Sequence, residues 1–217
     1  MENVSPFVIT ISRQLGSGGS YLGQRLAARL NIAYLDREII SEAAKKLQVS
    51  EDTIASNDEK LDSFWQRLIK PFGYYPAGYQ PPSINLLTDK IVHSTQSEVI
   101  SQVAQHTSVV VIGRGGFYLL KQHPRHLSIF LHANISFRQQ RVQKLYNLSG
   151  QQALQLMESV DRVRAQYLRA LTGQHWTNAL EYNLSLDTSV FGLDKSEDII
   201  IEAVKVRLGN IKDHPPS

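Results

Sequence analysis

The chain of 217 residues contains no cysteine. This absence excludes a disulfide framework and any metal site built on thiolates. Long apolar runs are also missing, because no stretch approaches the roughly 20 residues that a membrane-spanning helix needs. Residues 1–6 lack the charged start and apolar block of a secretory leader. From these absences we expect a cytoplasmic protein that does not enter a membrane.

A strong charge of either sign is absent too. The chain has 23 Lys and Arg against 20 Asp and Glu, which gives a formal net charge of +3. Five arginines are nevertheless concentrated in one segment: Arg138, Arg141, Arg162, Arg164 and Arg169. Nucleic-acid binding through this segment and the aromatic stretch 64–79 is disfavoured, because acidic residues interrupt the basic positions and no recognition motif is present.

A glycine-rich segment joins the first strand pattern to the first helix pattern. Residues 7–11 form a β-branched run, and residues 21–30 repeat leucine at helical spacing. Between them lie the small residues Gly16, Ser17, Gly18, Gly19 and Ser20. Such a turn can direct successive backbone N–H groups at an anion, and the start of the helix adds partial positive charge. We predict a phosphate-binding loop at 16–20; a glycine-rich turn that binds nothing is the alternative.

The segment matches the P-loop pattern G-x-x-x-x-G-K-[ST] only in part. Gly18 occupies the second glycine, and Ser20 the hydroxyl position that would reach Mg²⁺. Arg13 stands at the first glycine and Gly19 at the lysine. The loop is therefore kept while its cation is missing. Arg13 is our candidate substitute, with Arg138 or Arg141 as the alternatives.

Strand and helix patterns alternate along the chain. Strand patterns span 7–11, 33–36, 108–113, 127–132 and 184–188, and helical patterns span 21–30, 37–47, 86–105, 136–172 and 196–208. This alternation predicts an α/β fold in which helices cover both faces of a five-stranded parallel sheet. We expect one domain over 1–217 whose core comprises about 6–48, 106–135 and 183–208, with an irregular substrate-side insertion at about 49–95 and a helical lid at about 136–172.

Polar residues follow three of the predicted strands. The glycine loop ends the first, Asp36 and Arg37 end the second, and Arg114, flanked by glycines, ends the third. Carboxyl ends of parallel strands meet at one edge of the sheet, so these residues should line one crevice. Arg114 suits bidentate recognition of a phosphate. Asp36 has two possible roles, binding a ribose, a base or a cation, or capping the next helix.

The order of these motifs resembles the cytidylate kinase-like family, a divergent branch of the nucleoside monophosphate kinases. The resemblance rests on Ser-Arg-Gln-Leu-Gly-Ser-Gly-Gly-Ser, Tyr-Leu-Asp-Arg-Glu, Val-Ile-Gly-Arg-Gly, Asp-Arg-Val-Arg-Ala-Gln-Tyr and Leu-Asp-Thr-Ser, and it runs from about residue 7 to 208. It implies a P-loop NTPase-type three-layer sandwich with the insertion and lid described above. The Gly-Ser-Gly-Gly loop is itself typical of this branch.

The resemblance also implies roles for single residues. Arg114, Asp161 and Arg164 would bind the acceptor nucleotide, together with Asp36 and Arg37 at the second strand end. Arg138 and Arg141 look like lid arginines that close over the donor phosphates. The candidate catalytic residues are therefore Arg13, Arg138, Arg141 and Arg162. Residues three apart share a helix face, so Arg138 with Arg141 and Asp161 with Arg164 can act in pairs. An exposed, ion-paired helix surface is the alternative for each pair.

The resemblance predicts a phosphotransferase that uses ATP and Mg²⁺. The γ-phosphate would pass to a nucleoside monophosphate such as CMP or to a related small acceptor, so the expected partners are small-molecule nucleotides. Removing one electrostatic donor from a catalytic site costs roughly 3 to 4 kcal/mol. Cytidylate kinases also carry Asp where this chain has Ile112 and Gly115. A nucleotide-binding regulatory protein with weak or no turnover is therefore the second hypothesis.

Overall fold

The structure is a computed structural model that describes residues 5–43, 92–209 and 211–214. Most of the predicted insertion at 49–95 lies outside these residues, so the proposed division of the domain stays a prediction. No helix in the described ranges is both long and apolar enough to cross a membrane.

Five parallel strands form the sheet in the described part of the chain. They are β1 (Val8–Arg13), β2 (Ala33–Leu35), β3 (Val109–Ile112), β4 (His126–His132) and β5 (Leu184–Asp187). Their order is β2-β3-β1-β4-β5, so β1 lies in the centre, with Val8 beside Val109 of β3 and His126 of β4. The predicted five-stranded parallel sheet is confirmed. The carboxyl ends of β1, β2 and β3 are neighbours, as the strand patterns required.

Helices connect the strands. They are α1 (Gly19–Leu30), α2 (described over 37–43), α3 (described over Val92–His106), α4 (Gly116–Leu119), α5 (Ile135–Tyr146), α6 (Gly150–Thr172) and α7 (Thr188–Leu208). Helices α1 and α7 contact each other, α3 contacts α4, and each pair packs on the sheet. The result is the predicted three-layer sandwich.

The helical region predicted at 136–172 consists of two helices. Asn147 adopts a left-handed conformation, with φ of 52°, and ends α5. Ser149 then caps α6, because its side chain accepts from the amide of Gln152 while the Gln152 side chain accepts from the amide of Ser149. This reciprocal capping fixes the turn between the two helices.

The prediction that the last helix begins at Ser196 was wrong. The helix begins at Thr188, where the Asp187 side chain caps it by accepting from the Ser189 amide, and it kinks at Gly192. The Ser196 hydroxyl donates to the carbonyl of Gly192 at 2.6 Å. Ser-Glu-Asp resembles a helix start in sequence, but here it lies one turn beyond the kink.

The apolar face of each element lies where its periodicity predicts. Leu22 and Leu26 of α1 are fully buried against the sheet, and Ile9 and Ile11 of β1 are inaccessible to solvent. A second, smaller cluster joins α5 and α6 to the loop, and it consists of Leu15, Val142, Ala153, Met157 and Val160. Leu15 belongs to the glycine loop, so the two helices of the predicted lid pack directly on it.

Candidate active site

The glycine loop makes close contacts that only glycine permits. Gly16 and Gly18 have φ of 87° and 89°, in the left-handed region that disfavours other residues. A Cβ on Gly16 would lie 2.7 Å from the carbonyl oxygen of Arg138, and a Cβ on Gly18 would collide with the Leu193 side chain. The loop is therefore enclosed between α5 and α7.

Three backbone amides of the loop lie at the start of α1. Gly18 is the N-cap and supplies no side-chain cap. In the described part of the chain, the amides of Gly18, Gly19 and Ser20 donate to no acceptor. Unpaired amides and the positive end of a helix together favour an anion. The predicted phosphate-binding loop thus has suitable geometry.

The two serines of the loop differ in their surroundings. Ser17 is fully buried, and its hydroxyl lies 2.9 Å from the carbonyl oxygen of Gln14 and 3.1 Å from that of Leu131. It fastens the loop to β4. Ser20 lies in the first turn of α1 and is 8% exposed. Of the two, Ser20 is the one in a position to meet a ligand of the loop.

Thr188 also holds the loop in place, and sequence reasoning did not identify it. Its hydroxyl is fully buried, 2.8 Å from the carbonyl oxygen of Ser17 and 3.2 Å from that of His132. The first residue of α7 therefore holds the loop to the ends of β4 and β5. The Asp-Thr-Ser sequence after the last strand is the signal that could have identified it.

Asp161 holds the loop from the opposite side. Its Oδ1 accepts from the Leu15 amide at 2.8 Å, and its Oδ2 accepts from Arg138 at 2.5 Å. Arg164 lies 3.6 Å from the same carboxylate and donates to the carbonyl of Arg13 at 2.9 Å. Asp161, Arg138 and Arg164 therefore tie α5 and α6 to the loop. A role of Asp161 in acceptor binding stays a prediction, since both of its oxygens have partners within the chain.

Arg114 projects from a strained turn at the end of β3. Gly113, Arg114 and Gly115 have φ of 72°, 53° and 69°, three consecutive left-handed residues. A residue with a Cβ in this region loses roughly 1–2 kcal/mol, so the turn stores strain at the position of the arginine. The guanidinium lies 5.7 Å from the Tyr167 ring, and its buried Nε has no hydrogen-bond partner among the described residues.

Positive charge is concentrated around Arg114. Burial lowers the pKa of Arg114, and the charges of Arg37 and Arg13 lower it further. Burial also lowers the pKa of Arg164, again with a contribution from Arg13. Like charges that lower one another's pKa favour binding of an anion, because it offsets their repulsion. The structure thus brings together Arg13, Arg37, Arg114 and Arg164 beside the glycine loop.

Asp36 caps helix α2. Its Oδ1 lies 3.1 Å from the Glu38 amide and 3.2 Å from the Ile39 amide, which is the capping role considered for it. Burial raises the pKa of Asp36, and the positive charge of Arg13 partly offsets this effect. The carboxylate therefore lies at the edge of the arginine cluster, and contact with a ligand stays a prediction.

The remaining arginine candidates fall in different places. Arg141 lies over the rings of Tyr21 and Phe137, at 6.0 Å and 5.9 Å from their centres, beside the first turn of α1. Arg162 is 64% exposed and pairs with Glu158 one turn earlier on α6. The structure brings Arg138 and Arg141 to the loop and leaves Arg162 on the outer face of its helix.

The parallel sheet and the glycine loop between β1 and α1 define a kinase-like nucleotide-binding fold of the P-loop type. The chain belongs to the cytidylate kinase-like family, whose model matches residues 8–190. The resemblance seen in the sequence is confirmed. No curated protein matches the chain.

The chain is similar to several solved structures. An uncharacterized protein from Eubacterium ventriosum ATCC 27560 is 21% identical, with a TM-score of 0.70 over 93% of this chain and 99% of that one. Shikimate kinase from Acinetobacter baumannii, in complex with shikimate, is 13% identical, with a TM-score of 0.49 over 94% and 95%. Shikimate kinase from Bacteroides thetaiotaomicron is 12% identical, with a TM-score of 0.47 over 92% and 98%. The first shows a shared fold, and the two kinases support no conclusion about a substrate here.

Proposed function

We propose that this protein transfers the γ-phosphate of ATP to a nucleoside monophosphate such as CMP, or to a related small acceptor that carries a phosphate. The observation that carries the proposal is the arginine cluster beside the loop. Burial lowers the pKa of Arg114, and the nearby charges of Arg37 and Arg13 lower it further. Two carboxylates beside the cluster have other roles, since Asp161 is bonded to Arg138 and Asp36 caps a helix. An anionic ligand would offset the repulsion among these guanidinium groups.

The donor nucleotide fits the other side of the loop. Its phosphates would bind the amides of Gly18, Gly19 and Ser20. Near the loop, the Asn134 amide donates to the Ser189 hydroxyl at 3.1 Å and joins the starts of α5 and α7. The apolar side chains next to this bond in sequence are exposed, Val190 by 71% and Ile135 by 63%. Exposed apolar side chains at the starts of these two helices support binding of a base.

The reaction requires little covalent chemistry from the protein. An oxygen of the acceptor phosphate forms a bond to the γ-phosphorus, and the bond from that phosphorus to the β–γ bridging oxygen breaks, which releases ADP. The acceptor oxygen is already ionised, so no general base is needed. Catalysis then depends on positioning and on stabilising negative charge. Arginines are suited to both tasks, because their planar forks bind phosphate oxygens in pairs.

Mg²⁺ use follows from the same proposal. Among the described residues, no three His, Asp or Glu side chains form a cluster that could hold a metal. Ser20 has the position and the hydroxyl to join the phosphate oxygens of ATP as a ligand. Mg²⁺ is usually bound by few protein groups together with substrate phosphates, so this sparse donor set fits it. When bound, the ion would neutralise charge on the donor phosphates.

A nucleotide-binding regulatory protein without turnover is the second candidate. The observation in its favour is Gly19 at the position of the P-loop lysine, with Ile112 and Gly115 where cytidylate kinases carry acids. Such a protein would keep the loop and the arginine cluster for binding alone.

One experiment separates the two candidates. Purified protein is incubated with ATP, Mg²⁺ and each of a panel of nucleoside monophosphates and small phosphorylated acceptors, and release of ADP is measured by a coupled assay. Calorimetric titrations of ATP and of each acceptor run in parallel. Turnover with one acceptor supports the kinase, and binding without turnover supports the regulatory protein. Absence of both binding and turnover contradicts the proposal.

A further inference from the structure

Arg13 and Gly19 lie in van der Waals contact across the mouth of the loop. A Cβ on Gly19 would lie 2.6 Å from Cγ and 2.7 Å from Cβ of Arg13. Non-bonded carbon atoms do not approach one another so closely. Because these atoms form the base of the Arg13 side chain, a change of rotamer at its far end does not relieve the overlap. Positions 13 and 19 therefore cannot both carry a side chain in this backbone.

The Arg13 side chain continues from Gly19 to the end of β3. A Cβ on Gly113 would collide with Nη1 of Arg13 and lie 3.2 Å from its Cζ. The guanidinium is close enough to Arg114 and Asp36 to act on the pKa of both. One side chain thus runs from the donor loop to the strand end that carries the proposed acceptor site. Gly19 and Gly113 both leave room for it.

This contact explains how the loop departs from the P-loop pattern. That pattern has glycine at the position of Arg13 and lysine at the position of Gly19. Because the two positions touch, a cation on one requires glycine on the other. We propose that the glycine and the cation of the P-loop pattern have exchanged positions in this chain, and that the steric contact couples the two changes. The cation, Arg13, then reaches the phosphates from the end of β1 instead of from the start of α1.

The exchange also changes what the cation can contact. A lysine at the start of α1 would place a point charge on the donor phosphates. Arg13 places a planar guanidinium between the loop and Arg114, where the donor and acceptor phosphates would face each other. This role rests on the proposed function and deepens it. Arg13 binds the phosphoryl group in transfer, so its loss reduces kcat more than it weakens binding of either nucleotide.

The steric part is tested without any ligand. Gly19→Ala is made in the natural chain and in Arg13→Gly, and urea midpoints are measured for all four proteins. We expect Gly19→Ala to lower the midpoint in the natural chain and to keep or raise it in Arg13→Gly. Gly150→Ala is the matched control, because Gly150 is the first residue of α6 as Gly19 is of α1. Its effect should be equal in both backgrounds. Equal effects of Gly19→Ala in both backgrounds would overturn the exchange.

The cationic part is tested by Arg13→Gly combined with Gly19→Lys, which restores every fixed position of the P-loop pattern. We expect Arg13→Gly to lose at least tenfold in kcat and the double variant to recover most of that loss. Gly19→Lys alone should not raise kcat above that of the natural chain, because Arg13 obstructs the added side chain. A gain from Gly19→Lys alone that equals its gain in Arg13→Gly would refute the coupling.

Failure of the proposed function gives a different result. If no acceptor is phosphorylated, ATP and Mg²⁺ are titrated by calorimetry into the natural chain, Arg13→Gly, Gly19→Lys and the double variant. The affinities for ATP then test whether Arg13 supplies the cation. We expect the natural chain and the double variant to bind ATP more tightly than either single variant. If ATP does not bind at all, the cationic role of Arg13 is wrong along with the proposed function. The urea midpoints still decide the steric exchange in that case.

Discussion

The Asp161 carboxylate accepts a hydrogen bond from the Leu15 amide at 2.8 Å and thereby joins the middle of α6 to the glycine loop. A carboxylate beside such a loop would repel phosphate if it were not neutralised. Arg138 and Arg164 neutralise it, and the three groups together keep a net charge of +1. An acid therefore holds the loop without making this group of side chains negative.

Asp161→Ala should destabilise the protein and weaken ATP binding. The variant leaves the Leu15 amide without its acceptor and Arg138, which is 8% exposed, without its counter-ion. Loss of one partner of a buried pair costs about 3 to 5 kcal/mol, and partial exposure of Asp161 reduces this to about 2 kcal/mol. Urea unfolding measures the stability, and calorimetry measures the affinity for ATP.

Glu158→Gln is the matched control for Asp161→Ala. It removes another acid of α6 that pairs with an arginine, but this pair is exposed to solvent. Exposed pairs contribute well under about 1 kcal/mol, so stability and ATP affinity should hardly change. If both variants behaved alike, Asp161 would have no special part in positioning the loop.

Arg114→Gly should abolish acceptor binding and leave the fold intact. Gly relieves the left-handed strain at φ of 53°, which offsets the entropy that a glycine adds to the unfolded chain. We expect a urea midpoint close to that of the natural chain and at least a tenfold loss of acceptor affinity in calorimetry. Arg169→Ala, an exposed arginine at the end of α6, is the control for the loss of one positive charge. Unchanged acceptor affinity in Arg114→Gly would show that the acceptor binds elsewhere.

The sequence predicted the parts of this protein that depend on periodicity. Short apolar runs identified all five strands, and the repeated leucines identified the buried face of α1. Strand alternation alone placed the ends of β1, β2 and β3 side by side. These features are local patterns of burial, so neighbouring residues suffice to predict them.

Contacts between distant residues were beyond sequence reasoning. Asp161 and Leu15 are 146 positions apart, and no spacing rule connects them. Asp36 suits a cap and a ligand equally well as a residue type, and only the backbone geometry shows the cap. The overlap between Arg13 and Gly19 likewise depends on how the loop folds back. Motifs in the sequence supplied the candidate site residues, whereas the partners of these residues required the structure.

His126 should make stability depend on pH. Its Nε2 lies 2.8 Å from the Thr10 hydroxyl in the core, and burial lowers its pKa to about 4. In the unfolded chain a histidine titrates near about 6.5, so between the two values the unfolded state binds more protons. Stability therefore falls as the pH is lowered from about 6.5 to about 4, by at most about 3 kcal/mol.

The free energy of unfolding in urea, measured between pH 4 and pH 7, tests this expectation. His126→Gln removes the titrating group, so its stability should change less over this interval than that of the natural chain. His175→Gln, which replaces an exposed histidine bonded to Thr177, should keep the natural slope. A natural slope in His126→Gln would assign the acid sensitivity to other groups.

Thr188 should be required for the position of the loop through its hydroxyl rather than its size. Thr188→Val keeps the volume and removes the hydrogen bond to the buried carbonyl of Ser17. We expect a loss of about 1 to 2 kcal/mol in stability and weaker ATP binding, because the loop loses its link to β5. Thr188→Ser keeps the hydroxyl and should retain most of the ATP affinity despite the lost methyl group. If the serine and valine variants bind ATP equally, the hydroxyl does not position the loop, and packing of α7 against Gly18 through Leu193 must hold it instead.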